Sequence, residues 1–362
     1  MKEAAIVLGD ELLRTPYGKT AHGLLRHSGR FQIVGVVESD ATAGDAGSLI
    51  GVPSLGIPLV GSVEAALVAA RFRPAWAIVG IATQGGRIST SLRSLVLSAA
   101  RNGLSIVSGL HDQMVDDEEI AATVARLGKK IVDIRRVKKP VDMSYWTGKI
   151  YDLATPRIAV LGTDCIVGKR TTAHMIVSEL KERSISAELI YTGQTGWLQG
   201  AEYGFVLDAT VNDFITGELE AALMACARDR NPDVMVIEGQ SSMQNPSTPC
   251  GAEIIVSGDV HGVVLQHVPG RSAFCGYTGL KNKSPSLEIE IALLSAYNVP
   301  LLGICLNFSE FVGGSREGYI ADLKQRYNVP IASPLSDGLG PVIEAIERLI
   351  GGKSRSSVSA SV

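Results

Sequence analysis

Residues 157–172 read Arg157-Ile-Ala-Val-Leu-Gly162-Thr163-Asp164-Cys165-Ile166-Val167-Gly168-Lys169-Arg170-Thr171-Thr172, an apolar run, a glycine-bounded turn and a helix-like stretch in that order. The order suits anion binding. Successive main-chain N–H groups wrap the anion, the following helix turns its positive end toward it, and the Lys169 ammonium adds a point charge. Small residues let the backbone approach a phosphate closely. The stretch departs from the G-x-x-x-x-G-K-[ST] phosphate loop twice, with five residues between Gly162 and Gly168 and with Arg170 after Lys169. The hydroxyl that normally follows the lysine ligates Mg²⁺. Thr171 or Thr172 could supply one from one position on; alternatively, Arg170 means that phosphates are held by charge without a metal, which suits an ADP-containing cofactor such as coenzyme A.

Other candidates follow apolar runs. Glu238, after residues 233–237, leads into Gly239-Gln240-Ser241-Ser242 and reads as a metal ligand, a general base or a helix-capping carboxylate. Residues 191–197, Tyr-Thr-Gly-Gln194-Thr195-Gly-Trp197, read as a substrate-recognition loop or as a plain turn with Trp197 as a core anchor. Asp208 and Asp213 flank an apolar-to-helix transition, where Asp213 suits a cap. His267 can accept a proton near neutral pH, and Arg271 has the fork geometry to hold a carboxylate or phosphate. Cys165, at a helix N-terminus, is a secondary candidate nucleophile.

The elements that must carry these residues are short β-branched runs alternating with helix-like segments. Runs at 4–9, 31–37, 76–81 and 104–108 form one series, and runs at 157–161, 188–191, 233–237, 262–266 and 300–306 a second. Alternation of this kind predicts two tandem α/β units with parallel sheets, and ligands at the carboxyl ends of their strands. We expect a Rossmann-like domain over 1–138, a linker over 139–156, a domain of the phosphate-loop NTPase type over 157–350 and a flexible tail over 351–362. The first series lacks G-x-G-x-x-G, although Glu38 closes its second run where a ribose-binding acid would lie. The basic run Arg126, Lys129, Lys130, Arg135, Arg136, Lys138 and Lys139 reads as a solvated face or as a contact for cofactor phosphates.

Composition narrows the function classes. The 362 residues carry 34 Lys and Arg against 37 Asp and Glu, a formal net charge of −3, which argues against nucleic acid as a partner. Five scattered cysteines without a C-x-x-C pair suggest neither a disulfide framework nor a zinc site, and we expect no metal and a cytoplasmic setting. No apolar stretch reaches 18 residues, so no membrane segment is expected. Size and class suggest a homo-oligomer.

Four stretches taken together, Gly162–Thr172, Tyr191–Trp197, Val236–Ser242 and Gln266–Arg271, resemble one family over nearly the whole chain. It is a former domain-of-unknown-function family with a Rossmann-like N-terminal half and a phosphate-loop C-terminal half, and it includes D-glutamate N-acetyltransferases. The loop alone also resembles that of dethiobiotin synthetase-like enzymes. The family resemblance implies acetyl transfer from acetyl-CoA to the amino group of a D-amino acid, most readily D-glutamate. Gly162, Thr163, Asp164, Cys165, Gly168, Lys169, Arg170, Thr171 and Thr172 would then cradle the cofactor phosphates. Glu238 or His267, with Asp208 as a further candidate, would take the proton of the substrate ammonium. Gln194, Thr195, Trp197, Ser241, Ser242 and Arg271 would bind substrate, Arg271 through its carboxylate. The rivals are a Mg-ATP-dependent ligase or kinase and a metabolite-binding protein without turnover.

Overall fold

The structure is a computed structural model that describes residues 2–277, 279 and 284–359. It divides into two compact units: residues up to Lys138 together with Gln194–Ala201, and Lys139–Gly193 together with the chain from Glu202 onward.

In the first unit the chain runs β1 (Glu3–Leu8), α1 (Lys19–Arg26), β2 (Phe31–Val37), β3 (Gly44–Asp45), β4 (Pro58–Val60), α2 (Val63–Ala69), β5 (Trp76–Val79), α3 (Thr90–Arg101), β6 (Ser105–Ser108), α4 (Glu118–Arg126) and β7 (Ile131–Asp133). The sheet order is β3-β4-β2-β1-β5-β6-β7, parallel except for the short edge strand β3. Strands such as β1, apolar from Ala4 to Leu8, are covered on both faces, which is why they read as continuous apolar runs rather than alternations. Helix starts are set by side-chain caps: Ser89 accepts from Leu92 N ahead of α3, and Asp117 accepts from Ile120 N ahead of α4.

The second unit continues with β8 (Arg157–Gly162), α5 (Lys169–Glu182) and β9 (Ala187–Tyr191). The chain then passes through α6 (Gln194–Leu198), which belongs to the first unit. It resumes with β10 (Tyr203–Gly204), α7 (Ile215–Arg230), β11 (Val234–Glu238), α8 (Ala252–Ser257), β12 (Gly262–His267), α9 (Leu287–Ala296), β13 (Leu301–Leu306), α10 (Arg316–Arg326), β14 (Ile331–Ala332), α11 (Pro334–Asp337) and α12 (Gly340–Ser359). All neighbours in the order β10-β9-β11-β8-β12-β13-β14 are parallel. The first strand of this unit is therefore its central one, flanked by β11 and β12, with Glu238 in register with Val160 and Gln266 with Gly162.

Three expectations need correction. Residues 139–156 are not a free linker. Glu220 on α7 accepts hydrogen bonds from Thr147 N (2.7 Å), the Thr147 hydroxyl (2.9 Å) and Ile150 N (3.1 Å), and Ile150 is fully buried in the core. Side-chain-to-backbone bonds of this kind leave no periodicity to read. Helix α12, with Val342, Ile343 and Ile346 buried near its start, runs into the residues expected to form the tail, as far as Ser359; residues 360–362 lie outside the described residues. The 191–197 stretch is not one loop, because the chain changes unit after Gly193.

Candidate active site

The turn between β8 and α5 is shaped by its glycines. A Cβ on Gly162 would come within 2.7 Å of the Val167 side chain and 3.0 Å of the Gln266 carbonyl oxygen, and Gly168 sits at φ 117°, a backbone state L side chains avoid. Ile166, β-branched at φ 55°, holds a left-handed conformation that only its surroundings can enforce. From this turn α5 buries Lys169, Thr172, Ala173, Ile176, Val177 and Leu180, a three- and four-residue spacing that keeps one face on the sheet.

Lys169 is 7% exposed, and its ammonium donates to the carbonyl oxygens of Asp164 (2.6 Å) and Ser241 (2.7 Å). Burial pushes its pKa below the ordinary lysine value, against the opposing pull of the groups at Cys165 and Asp164. Ser241 itself has φ 38°, and its hydroxyl oxygen accepts from Thr248 Oγ1 (2.8 Å) and lies 3.4 Å from Cys165 Sγ. Ser242 steadies the same turn, its carbonyl accepting from Cys250 N (3.0 Å) and its hydroxyl from Asn245 N (3.0 Å).

Two side chains from β12 close the other flank. Gln266 accepts from the Thr172 hydroxyl (2.7 Å) through Oε1, while its carbonyl accepts from Thr163 N (3.0 Å). His267, 7% exposed, shares a 3.0 Å hydrogen bond between Nδ1 and Thr163 Oγ1. Burial pushes the imidazole down to about 4, with the Arg271 charge adding to the effect against the pull of Glu288, so the ring is neutral at pH 7.

Asp164 is fully buried, and its carboxylate accepts from Asn245 Nδ2 (2.9 Å), Cys275 N (2.7 Å) and Arg271 Nη1 (3.1 Å). Arg271 also donates to the Cys165 carbonyl (2.6 Å) and through Nε and Nη2 to Glu310. On β11, Glu238 is buried; its carbonyl accepts from the Thr192 hydroxyl (2.7 Å), which in turn accepts from Gln240 Nε2 (3.0 Å). Asp208 is exposed in a short turn whose Leu207 N donates to Thr192 O (2.9 Å).

Gly162–Thr172, Glu238, Ser241, Ser242, His267 and Arg271 are thus brought together at the carboxyl ends of β8, β11 and β12. Gln194, Thr195 and Trp197 lie on α6, which clusters with the first unit. There Thr195 Oγ1 lies 3.1 Å from Thr20 Oγ1, Gln194 fills the space over Gly109, and the Arg30 guanidinium sits 4.1 Å from the centre of a Trp197 ring. Asn245 and Glu310 are site residues that motif reading passed over, and Thr192 and Gln266 lay inside quoted motifs without a role assigned to them. Asn245 and Glu310 lie in irregular segments with no spacing signal.

At the matching strand ends of the first unit, Glu38 is 4% exposed, with its carboxyl beside the main chain of Glu11 and Leu13. A Cβ on Gly9 would fall 2.0 Å from Glu38 Oε2. Burial first, then the neighbouring Asp40 charge, raises this carboxyl to about 7. Among the described residues no group of three His, Cys, Asp or Glu is arranged to hold a metal ion, and no helix is long and apolar enough to cross a membrane.

Comparison with known proteins agrees with this two-unit architecture. Residues 144–343 match the family model described as a domain of unknown function (DUF1611_C), P-loop domain, and residues 39–137 match its DUF1611_N Rossmann-like counterpart. A protein named D-glutamate N-acetyltransferase from Pseudoalteromonas sp. is 30% identical over 275 residues, 74% of this chain and 79% of its own length. One of the same name from Tritonibacter scottomollicae is 29% identical over 280 residues, 74% of this chain and 80% of its own. The crystal structure of a DUF1611 family protein from Anabaena variabilis superposes with a TM-score of 0.85 at 27% identity, covering 96% of this chain and all of that one. With its Rossmann-like first unit and P-loop second unit, the chain belongs to the DUF1611 family.

Proposed function

We propose that this protein is an N-acetyltransferase that moves the acetyl group of acetyl-CoA to the amino group of a D-amino acid, D-glutamate before others. The relatives of that name support the reaction class. The observation that carries the reading is the make-up of the phosphate loop. Arg170 replaces the hydroxyl after Lys169, the Thr172 hydroxyl is bonded to Gln266, and Asp164 already accepts three hydrogen bonds. What remains for an incoming phosphate is main-chain N–H, the α5 N-terminus, the Thr171 hydroxyl and Lys169, a set that fits the pyrophosphate of coenzyme A.

Acetyl-CoA supplies an activated thioester. The chain must hold it, deprotonate the substrate ammonium so that a neutral amine can attack, and stabilise the oxyanion that forms. We assign the proton to Glu238, the buried carboxylate at the end of β11 in register with Val160. The neutral His267 imidazole, oriented by Thr163, serves as a hydrogen-bond donor to the developing oxyanion.

Pure protein incubated with acetyl-CoA and a panel of D- and L-amino acids tests this by free-thiol release and product mass. The expected result is thiol release that depends on D-glutamate and is indifferent to EDTA. Magnesium-dependent ATP consumption without thiol release would overturn the proposal in favour of a ligase or kinase, and tight ligand binding without any product would favour a binding protein.

A further inference from the structure

We propose that Arg271 is a positioning residue of the phosphate loop and that its partner is the protein's own Asp164 rather than a substrate carboxylate. The inference rests on the reading of 162–172 as the seat of the cofactor phosphates, and it reverses the role that fork geometry alone suggested for Arg271.

A loop that binds anions has a fully buried carboxylate, Asp164, inside it. Left uncompensated, that charge would repel the ligand across a low-dielectric gap and would itself be costly to bury. The structure shows the compensation. Arg271 Nη1 lies 3.1 Å from Asp164 Oδ2 and donates at 2.6 Å to the carbonyl of Cys165, so one nitrogen ties both the carboxylate and the main chain of the loop. Its Nε and Nη2 are taken by Glu310, which is 44% exposed and lies just after β13. With its side chain 9% exposed and Nε, Nη1 and Nη2 all hydrogen-bonded, Arg271 is poorly placed to receive a substrate carboxylate. Asn245 Nδ2 and Cys275 N complete the shell around Asp164, which acts as the central pin of the loop. Asn307 braces the far end of the same turn, donating at 3.2 Å to the Val167 carbonyl from the strand end that also carries Glu310.

The test is a double-mutant cycle read by equilibrium dialysis with CoA and, in parallel, ADP, together with steady-state kinetics. Arg271→Gln should weaken CoA binding at least about tenfold, since it leaves a buried carboxylate unpaired. KM for D-glutamate at saturating acetyl-CoA should stay within about twofold. Adding Asp164→Asn should restore most of the lost CoA affinity, and Glu310→Gln alone should have a smaller effect of the same sign. If Arg271→Gln does not fold, Arg271→Lys is read by the same criteria, with a milder loss. A raised KM for D-glutamate with CoA affinity unchanged, or no rescue by Asp164→Asn, overturns the proposal. If the wild type binds ADP but not CoA, the acetyl-transfer reading fails and the cycle is read on ADP. If it binds neither, this inference falls too.

Discussion

After β1, the first unit places Gly9, Asp10 and Glu11 in its turn and lays the Glu38 carboxyl over Gly9; after β8, the second unit places a glycine-bounded turn with Lys169 against its carbonyls. Both turns sit at the carboxyl end of a strand in a sheet of seven strands, where open α/β sheets bind ligands. Their chemistry is opposite. In the first unit Asp10 accepts from the hydroxyl of Ser89, the residue that caps α3, so a protein carboxylate is already bonded there. In the second unit the buried carboxylate of the loop is neutralised by Arg271 and the helix start is left to Lys169 and the backbone. On the proposed reading, two turns in like positions of two sheets differ in their side chains, and only the second is fitted to an anion.

The contrast can be broken most severely at Lys169. Lys169→Ala removes a buried ammonium with two short hydrogen bonds and should weaken CoA binding by about a hundredfold, or roughly 3 kcal/mol. Glu38→Gln should leave that affinity unchanged. Unaltered CoA affinity in the Lys169 variant, measured by calorimetry, would place the anion site elsewhere.

Glu38 sharpens the comparison from the other side. Its carboxyl ordinarily titrates near 4.5 and here near 7, so the folded state prefers the protonated form. The stabilisation is complete below about pH 4.5 and is lost as pH rises through 7, a change of roughly 3 kcal/mol at most. Hydrogen exchange of β1 and β2 amides in the full chain should show weaker protection at pH 8 than at pH 5. Glu38→Gln should flatten that slope, and a slope that persists in the variant would reject the assignment. The smallest effect is expected at Thr172. Thr172→Val leaves Gln266 Oε1 without a donor, and CoA affinity should fall by about 1 kcal/mol equally with and without Mg²⁺. A loss seen only when Mg²⁺ is present would instead make Thr172 a metal ligand.

Much of the fold was legible along the chain. Continuous apolar runs such as 31–37 coincide with β2, and the strand-turn-helix order at 157–172 marks β8 and α5. The two- and three-residue strands β3, β4, β7, β10 and β14 were not, because so few residues carry no period against their surroundings. Trp197 shows the converse limit. An aromatic in a glycine-rich turn gives no sign of the side chain it will stack on, here Arg30 of the first unit.

Residue order alone specified two α/β units, the phosphate loop and the missing hydroxyl at Arg170, because each of these is written in contiguous residues whose backbone and side-chain preferences act locally. Folding in three dimensions decided that β8 lies between β11 and β12, that Glu238 and His267 flank one turn, and that Arg271 meets Asp164 across 107 positions of chain. Those choices depend on which strands pair and which charges are desolvated together, and interactions between distant segments leave no mark on local spacing.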